Sequence, residues 1–197
     1  MNFYTQERWK NWLERVKESK FTLDEDREGL GPEGIVFLDM QEDVILALCK
    51  LTGKLRNNSI SAEDAQKALA DMETWVFSDA DPLGPDKDAM LHSVQTALYS
   101  AFRGALLVLE GNANPGEDIA NLLLEADAAE KGGKVEDAFA LAYRGAGAAF
   151  CGARFESDAV LEQLSSGLVA DWADGIDGIQ AVLAGGVNLA DEEDDGE

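Results

Sequence analysis

The sequence predicts an all-α fold, a bundle of about six to seven mostly antiparallel helices, and three observations carry that expectation. Apolar residues recur at helical spacing through most of the chain, in segments joined by short connections bearing Gly, Pro and Asn. No stretch shows sustained period-two alternation rich in β-branched residues, so no sheet is expected. Residues 134–153, KVEDAFALAYRGAGAAFCGA, read as a helix with small side chains on several sides: Ala138, Ala142, Gly145, Ala146, Gly147, Ala148, Ala149 and Gly152. A glycine inside a helix costs ~1 kcal/mol relative to alanine, so this composition favours close approach of neighbouring helices over local propensity. Asp137 and Arg144 keep the segment from reading as a membrane span.

The first helix begins after Thr5, a capping residue, and runs to about Ser19, with Trp9, Trp12, Leu13 and Val16 on one face. Lys20 to Gly31 is charged and aperiodic, a connector. Pro32 and Glu33 suit the first turn of the second helix, which continues to about Arg56. Its stripe of Phe37, Met40, Val44, Leu48, Leu51 and Leu55 is widened by Ile35, Leu38, Ile45 and Cys49, the mark of a helix touching at least two neighbours. Ser61, with Asp64 three residues on, starts a third helix, which buries Ala65, Leu69, Met72, Trp75 and Val76.

The loop from Ser78 to Asp86 carries two prolines and a glycine and ends that helix. A fourth helix spans about Lys87 to Glu110. Asn114-Pro115-Gly116-Glu117 reads as the start of a fifth, stopped by Gly132 and Gly133, and the Gly/Ala-rich helix follows. Ser157 is the expected cap of the last long helix, through Leu161, Leu164, Leu168 and Trp172, which Gly175 and Gly178 would kink or split. Residues 1–184 are expected to form a single helical domain with a sub-boundary near 78–86, and residues 185–197 a disordered acidic tail.

Charge narrows the function classes. Of 197 residues, 39 are acidic and 16 basic, a formal net charge of −23. Such a surface repels phosphate backbones and anionic membranes, so neither nucleic acid nor a membrane is an expected partner. No run approaches the ~20 apolar residues that a bilayer requires, and the N-terminus lacks an apolar signal core, so a cytoplasmic protein is expected. The carboxylates are spread along most of the chain, which favours adaptation to high salt over a docking surface for a basic partner, the alternative reading. The first twenty residues nevertheless hold five basic and three acidic side chains, whereas twelve acidic and no basic ones follow Arg154. The first helix is therefore a candidate to lie across the C-terminal region, in the same chain or in a second copy.

Few residues suggest chemistry. Asp79, Asp81 and Gly84 match positions 1, 3 and 6 of a calcium loop, but Leu83 and Met90 stand where ligands belong. Asp171, Asp174 and Asp177, three residues apart, are weak candidates for a divalent ion or acid–base work. His92 is the only histidine and borders an apolar stripe, and Cys49 and Cys151 lie in apolar helical patterns, a poor zinc set best read as buried thiols. Gly145, Gly147 and Gly152 follow no strand and precede no GKS or GKT, so they make no nucleotide loop. Arg144 sits with Leu141, Ala148 and Cys151, and if that face is buried it requires a carboxylate partner in a buried ion pair. Leu122 to Phe150 invites comparison with a tetratricopeptide hairpin, but no second copy recurs at that period.

The opening Phe3-Tyr4-Thr5-Gln6-Glu7-Arg8-Trp9-Lys10-Asn11-Trp12, with the length, acidity and helical character, resembles an uncharacterised family of archaeal proteins from methanogens and halophiles. The resemblance implies an archaeal cytoplasm and carries over no activity, cofactor or site residue. The functional expectation is a helical protein that leans away from catalysis, needs no cofactor and acts through protein–protein contacts, with another protein or as a homodimer. Phe3, Tyr4, Trp9 and Trp12 are the candidate interface anchors, although packing into the chain's own core accounts for them equally well. A small-molecule or divalent-metal protein using the acidic C-terminal helix and Arg144 is the alternative.

Overall fold

In a computed structural model, residues 3–23 and 29–185 are described, and among them the chain forms eight helices and no strand. They are α1 (Gln6–Glu18), α2 (Gly31–Arg56), α3 (Ala62–Val76), α4 (Pro85–Leu109), α5 (Ile119–Lys131), α6 (Val135–Phe150), α7 (Ser157–Leu161) and α8 (Leu168–Ala184). The expected disordered tail lies, from residue 186 on, outside the described residues. Two helix starts follow the sequence signals closely. Thr5 Oγ1 accepts the Arg8 N–H at 3.0 Å. Ser61 Oγ accepts the Asp64 N–H at 3.1 Å and donates to its carboxylate at 2.7 Å, which satisfies backbone donors the helix itself cannot.

Two expectations about helix ends are corrected. The fifth helix does not start at Asn114, whose Oδ1 closes a turn with the Gly116 N–H at 3.0 Å. Asp118 is the cap instead, accepting the Asn121 N–H at 3.1 Å. The last long helix is not capped by Ser157 either. It breaks between α7 and α8, and α8 runs unbroken through Gly175 and Gly178. The cause lies in α5: Glu130 accepts the N–H groups of Leu168 at 2.8 Å and Val169 at 3.1 Å, and Asp127 that of Ser165 at 3.0 Å. Carboxylates on a neighbouring helix thus cap α8, where its own sequence supplies Gly167 and no capping side chain.

The Gly/Ala-rich helix is enclosed as expected. Residues 145–150 are all buried, and α6 packs against α4, α5 and α8. Tyr99 stacks on Phe139 with ring centres 5.0 Å apart, Phe139 meets Trp172 at 5.0 Å, and Gly145 faces Ile176. These pairings rise together along each helix, so α4, α6 and α8 run in the same direction, while helices joined by a short connection reverse. Short loops turn the chain around, so alternate helices come out parallel.

The tightest approaches use Gly104, which the sequence pattern did not single out, and Gly175, which it marked as a kink rather than a contact. A Cβ at Gly104 of α4 would stand 2.5 Å from Ala146 Cβ and 2.7 Å from the Gly147 nitrogen. One at Gly175 of α8 would stand 2.3 Å from the Ala97 carbonyl oxygen. Gly152 takes no part in packing; it ends α6 at φ +96°, a backbone conformation that a side chain disfavours. At the other edge, α1 lies across α2 and α3, so the charge asymmetry does not seat it on the acidic C-terminal helix of its own chain.

Candidate functional site

The N-terminal aromatic cluster is built around an acid in the middle of α2. Arg8, Trp12 and Arg15 recur at helical spacing on the side of α1 that meets α2. Arg8 Nε donates to Asp43 Oδ2 at 2.8 Å, and its Nη2 is bonded to Oδ1. Trp12 Nε1 donates to the same carboxylate at 2.7 Å. Arg15 lies 4.0 Å above the Trp12 ring and 3.8 Å from Asp39, and Arg8 stands 5.5 Å from the Tyr4 ring centre. Charge-assisted bonds to one carboxylate therefore fix the angle at which α1 crosses α2.

Of the four expected interface anchors, Tyr4 and Trp9 are buried to 1% exposure, and only Phe3 and Trp12 keep part of their surface. Tyr4 and Trp9 are core residues. Burial, followed by Asp43, pushes the Tyr4 phenol well above its usual range. Among the described residues, neither Tyr4 Oη nor Trp9 Nε1 finds a hydrogen-bond partner of normal geometry. Sequence spacing placed these aromatics on a helix face but missed Asp43, although an acid inside the broad apolar stripe of α2 was the available signal.

Beside this cluster a cavity of about 500 Å³ opens between the residues leading into α1, the α2–α3 turn and the outer face of α3. Phe3, Tyr4 and Trp75 line it, together with Asp64, Lys67 and Asp71. No sequence signal announced it, because Phe3 meets Lys67 and Asp71 only through the packing of α1 on α3.

The acidic trio of α8 is not drawn into one site. Asp171 accepts from Ser93 Oγ of α4 at 2.6 Å. Asp177 reaches only Gln180 Nε2, at 3.4 Å, and borders a second hollow of about 430 Å³. Asp174 is exposed. No group of three or more His, Cys, Asp or Glu among the described residues is placed to hold a metal ion. A step of three residues turns each carboxylate about 60° from the last, which spreads the trio around the helix.

Asp174 still senses its surroundings. Its carboxyl titrates at about 6, raised first by the protein crowded around it and then by Asp171 and Asp177. A carboxyl raised on folding holds a proton that the unfolded chain releases, so its contribution to stability falls between about pH 4 and the folded value and is level above it. Asp174→Asn is expected to be more stable than the parent chain at neutral pH and to lose that slope. Urea midpoints of the two chains at about pH 4.5 and about pH 7 check this; a constant difference between them would contradict it.

Arg144 has the carboxylate partner expected of it, but the pair is not buried. Its Nη2 donates to both oxygens of Glu117 at 2.9 Å, and its Nε donates at 3.2 Å. The arginine side chain is 45% exposed and that of Glu117 18%. Leu141 and Cys151 on that side are only half-buried, so the pair is a surface clamp between α6 and the turn before α5, worth at most ~1 kcal/mol. His92 is exposed on α4, and Asp171 nearby is held above the usual carboxylate range, by burial first, with the Ser93 hydroxyl and His92 working against that rise. Both cysteines are free, and burial pushes the Cys49 thiol up to about 12, which leaves it inert at neutral pH.

Among the described residues, no helix is long and apolar enough to cross a membrane. A family model described as "Uncharacterized protein conserved in archaea (DUF2150)" matches residues 2–193. No curated protein and no solved structure matches the chain.

Proposed function

This chain belongs to that family of uncharacterized proteins conserved in archaea, and from that premise we propose that it is a non-catalytic cytoplasmic protein that works by protein–protein contact, its partner being a second copy of itself. One observation carries the reading. Ile35 and Leu38 lie one helical turn apart on α2, 49% and 51% exposed, on a helix otherwise deeply embedded in the core. The paired exposure stands out because the second helix spends its apolar side chains elsewhere on buried contacts.

Charge supports a second copy as the occupant. On one edge of this strip α2 meets α1, through Arg8 with Asp43 and Arg15 with Asp39. On the other it meets α8, where Gly178 stands against Ile45 and Gln41. α1 carries four cations against three carboxylates, and α8 carries three aspartates and no cation. A two-fold axis parallel to α2 would set Leu38 against its own copy and the α1 edge of one protomer against the α8 edge of the other. The chain's net charge opposes any self-association at low salt, so the dimer should strengthen as salt screens it.

Light scattering across a salt series tests the reading. The dimer fraction is expected to rise with salt in the parent chain and to vanish in Leu38→Asp, which changes a surface residue. A parent chain monomeric at every salt concentration would sink it. The alternative site, the acidic C-terminal helix with Arg144, has less support, since Arg144 is neutralised by Glu117 and the three aspartates diverge.

A further inference from the structure

The cavity beside α3 combines three kinds of side chain that rarely meet by accident. Phe3, Tyr4 and Trp75 give it aromatic walls, and Lys67 and Asp71, one turn apart on α3, give it charges of opposite sign. Opposite charges at this spacing ordinarily approach each other across the helix surface. Among the described residues, Lys67 and Asp71 make no ion pair and no side-chain hydrogen bond, with each other or with anything else. The third charge, Asp64, is tied to Ser61 as part of the helix cap but remains an anion at the cavity wall. The lining therefore brings two carboxylates and one ammonium beside three aromatic side chains, of which Tyr4 is the most deeply buried.

Three physical terms select the same ligand. Aromatic faces attract cations, more strongly as water is excluded. An unpaired carboxylate at the wall takes an ammonium by a charge-assisted hydrogen bond. The field of a chain of net charge −23 concentrates cations in clefts and repels anions. A hydrated divalent ion gains little from aromatic walls and is repelled by Lys67, whereas an organic cation can bury an apolar body there. A cavity of about 500 Å³ is of the size that holds small organic ligands. We propose that this cavity binds a small organic ammonium ion, its charged nitrogen at Asp71 and its apolar body between Phe3 and Trp75. The site is independent of the contact proposed for α2.

Calorimetric titration of the full chain at fixed ionic strength tests the assignment, with 2-phenylethylammonium chloride as the probe and 3-phenylpropanol as its uncharged counterpart. The expected result is saturable binding of the ammonium and binding weaker by about tenfold or more for the alcohol. Asp71→Asn is expected to weaken the ammonium by about tenfold, and Lys67→Gln to strengthen it about threefold by removing a like charge. Both positions are exposed on α3, and far-UV circular dichroism checks that the variants keep their fold. Absence of saturable binding up to about 10 mM, equal binding of the alcohol, or an unchanged affinity in Asp71→Asn would each overturn the proposal.

Discussion

Replacing Gly175 by alanine is expected to destabilise the protein by about 3 kcal/mol, one of the two largest single-residue effects foreseen for this chain. The new Cβ would stand 2.3 Å from the Ala97 carbonyl oxygen and 2.9 Å from its carbon. Both atoms are backbone of α4, so relief requires α8 and α4 to move apart, and a well-packed interior resists that. Gly104→Ala should behave alike, since its Cβ would meet Ala146 Cβ at 2.5 Å and the Ala146 carbonyl carbon at 2.8 Å. Gly145→Ala provides the contrast. There the nearest atoms are Ile119 Cγ2 and Ile176 Cδ1, both at 3.5 Å, an ordinary contact distance. Alanine's helix propensity then favours the variant by up to ~1 kcal/mol. Guanidinium unfolding of the three variants reads the difference. If Gly175→Ala unfolded at the same midpoint as Gly145→Ala, the close helix approaches described above would be wrong.

Trp9→Ala is expected to cost about 3–5 kcal/mol through lost core packing. The indole is 1% exposed beneath α1, and its removal empties a site that the backbone cannot refill. The loss is capped by the free energy with which α1 docks, because α1 packs mainly on α2 and α3, with Lys87 of α4 bonding the Lys17 and Ser19 carbonyls at its end, and can detach as a local unit. Hydrogen exchange should therefore show early opening of residues 6–18, and equal protection of that segment in variant and parent would contradict the placement of Trp9 in the core. A variant of parental stability that had lost association would restore Trp9 to the role of interface anchor.

Much of the secondary structure was legible because its signals are local. Thr5 and Ser61 cap the helices they announce, and the α2 stripe buries Phe37, Met40, Val44, Leu48 and Leu51, although Ile35 and Leu38, read as widening it, stand exposed. The errors arise where a residue from elsewhere in the chain decides. Asn114 and Asp118 offer similar caps, and the turn closed at Gly116 leaves the helix to Asp118. The break before α8 is set by Asp127 and Glu130 of α5, some 40 residues earlier. The candidate sites fared less well than the helices. Arg144 was expected to need a carboxylate only if its face were buried; it meets Glu117 at the surface, because its burial depends on neighbours that sequence spacing does not reveal. Lys67 and Asp71 carry no local signal, and the cavity they border exists only where Phe3 and Tyr4 come against α3.

The sequence by itself determined that this chain is helical, acidic and built around a segment of small residues, since helix formation, solvation and steric bulk are properties of residues and their near neighbours. Only the tertiary structure decided which glycines carry the close approaches, which aromatic rings are core and which charges stand unpaired. Each of those outcomes depends on atoms distant in the chain, and a helix face shows no sign of its neighbour until that neighbour is packed against it.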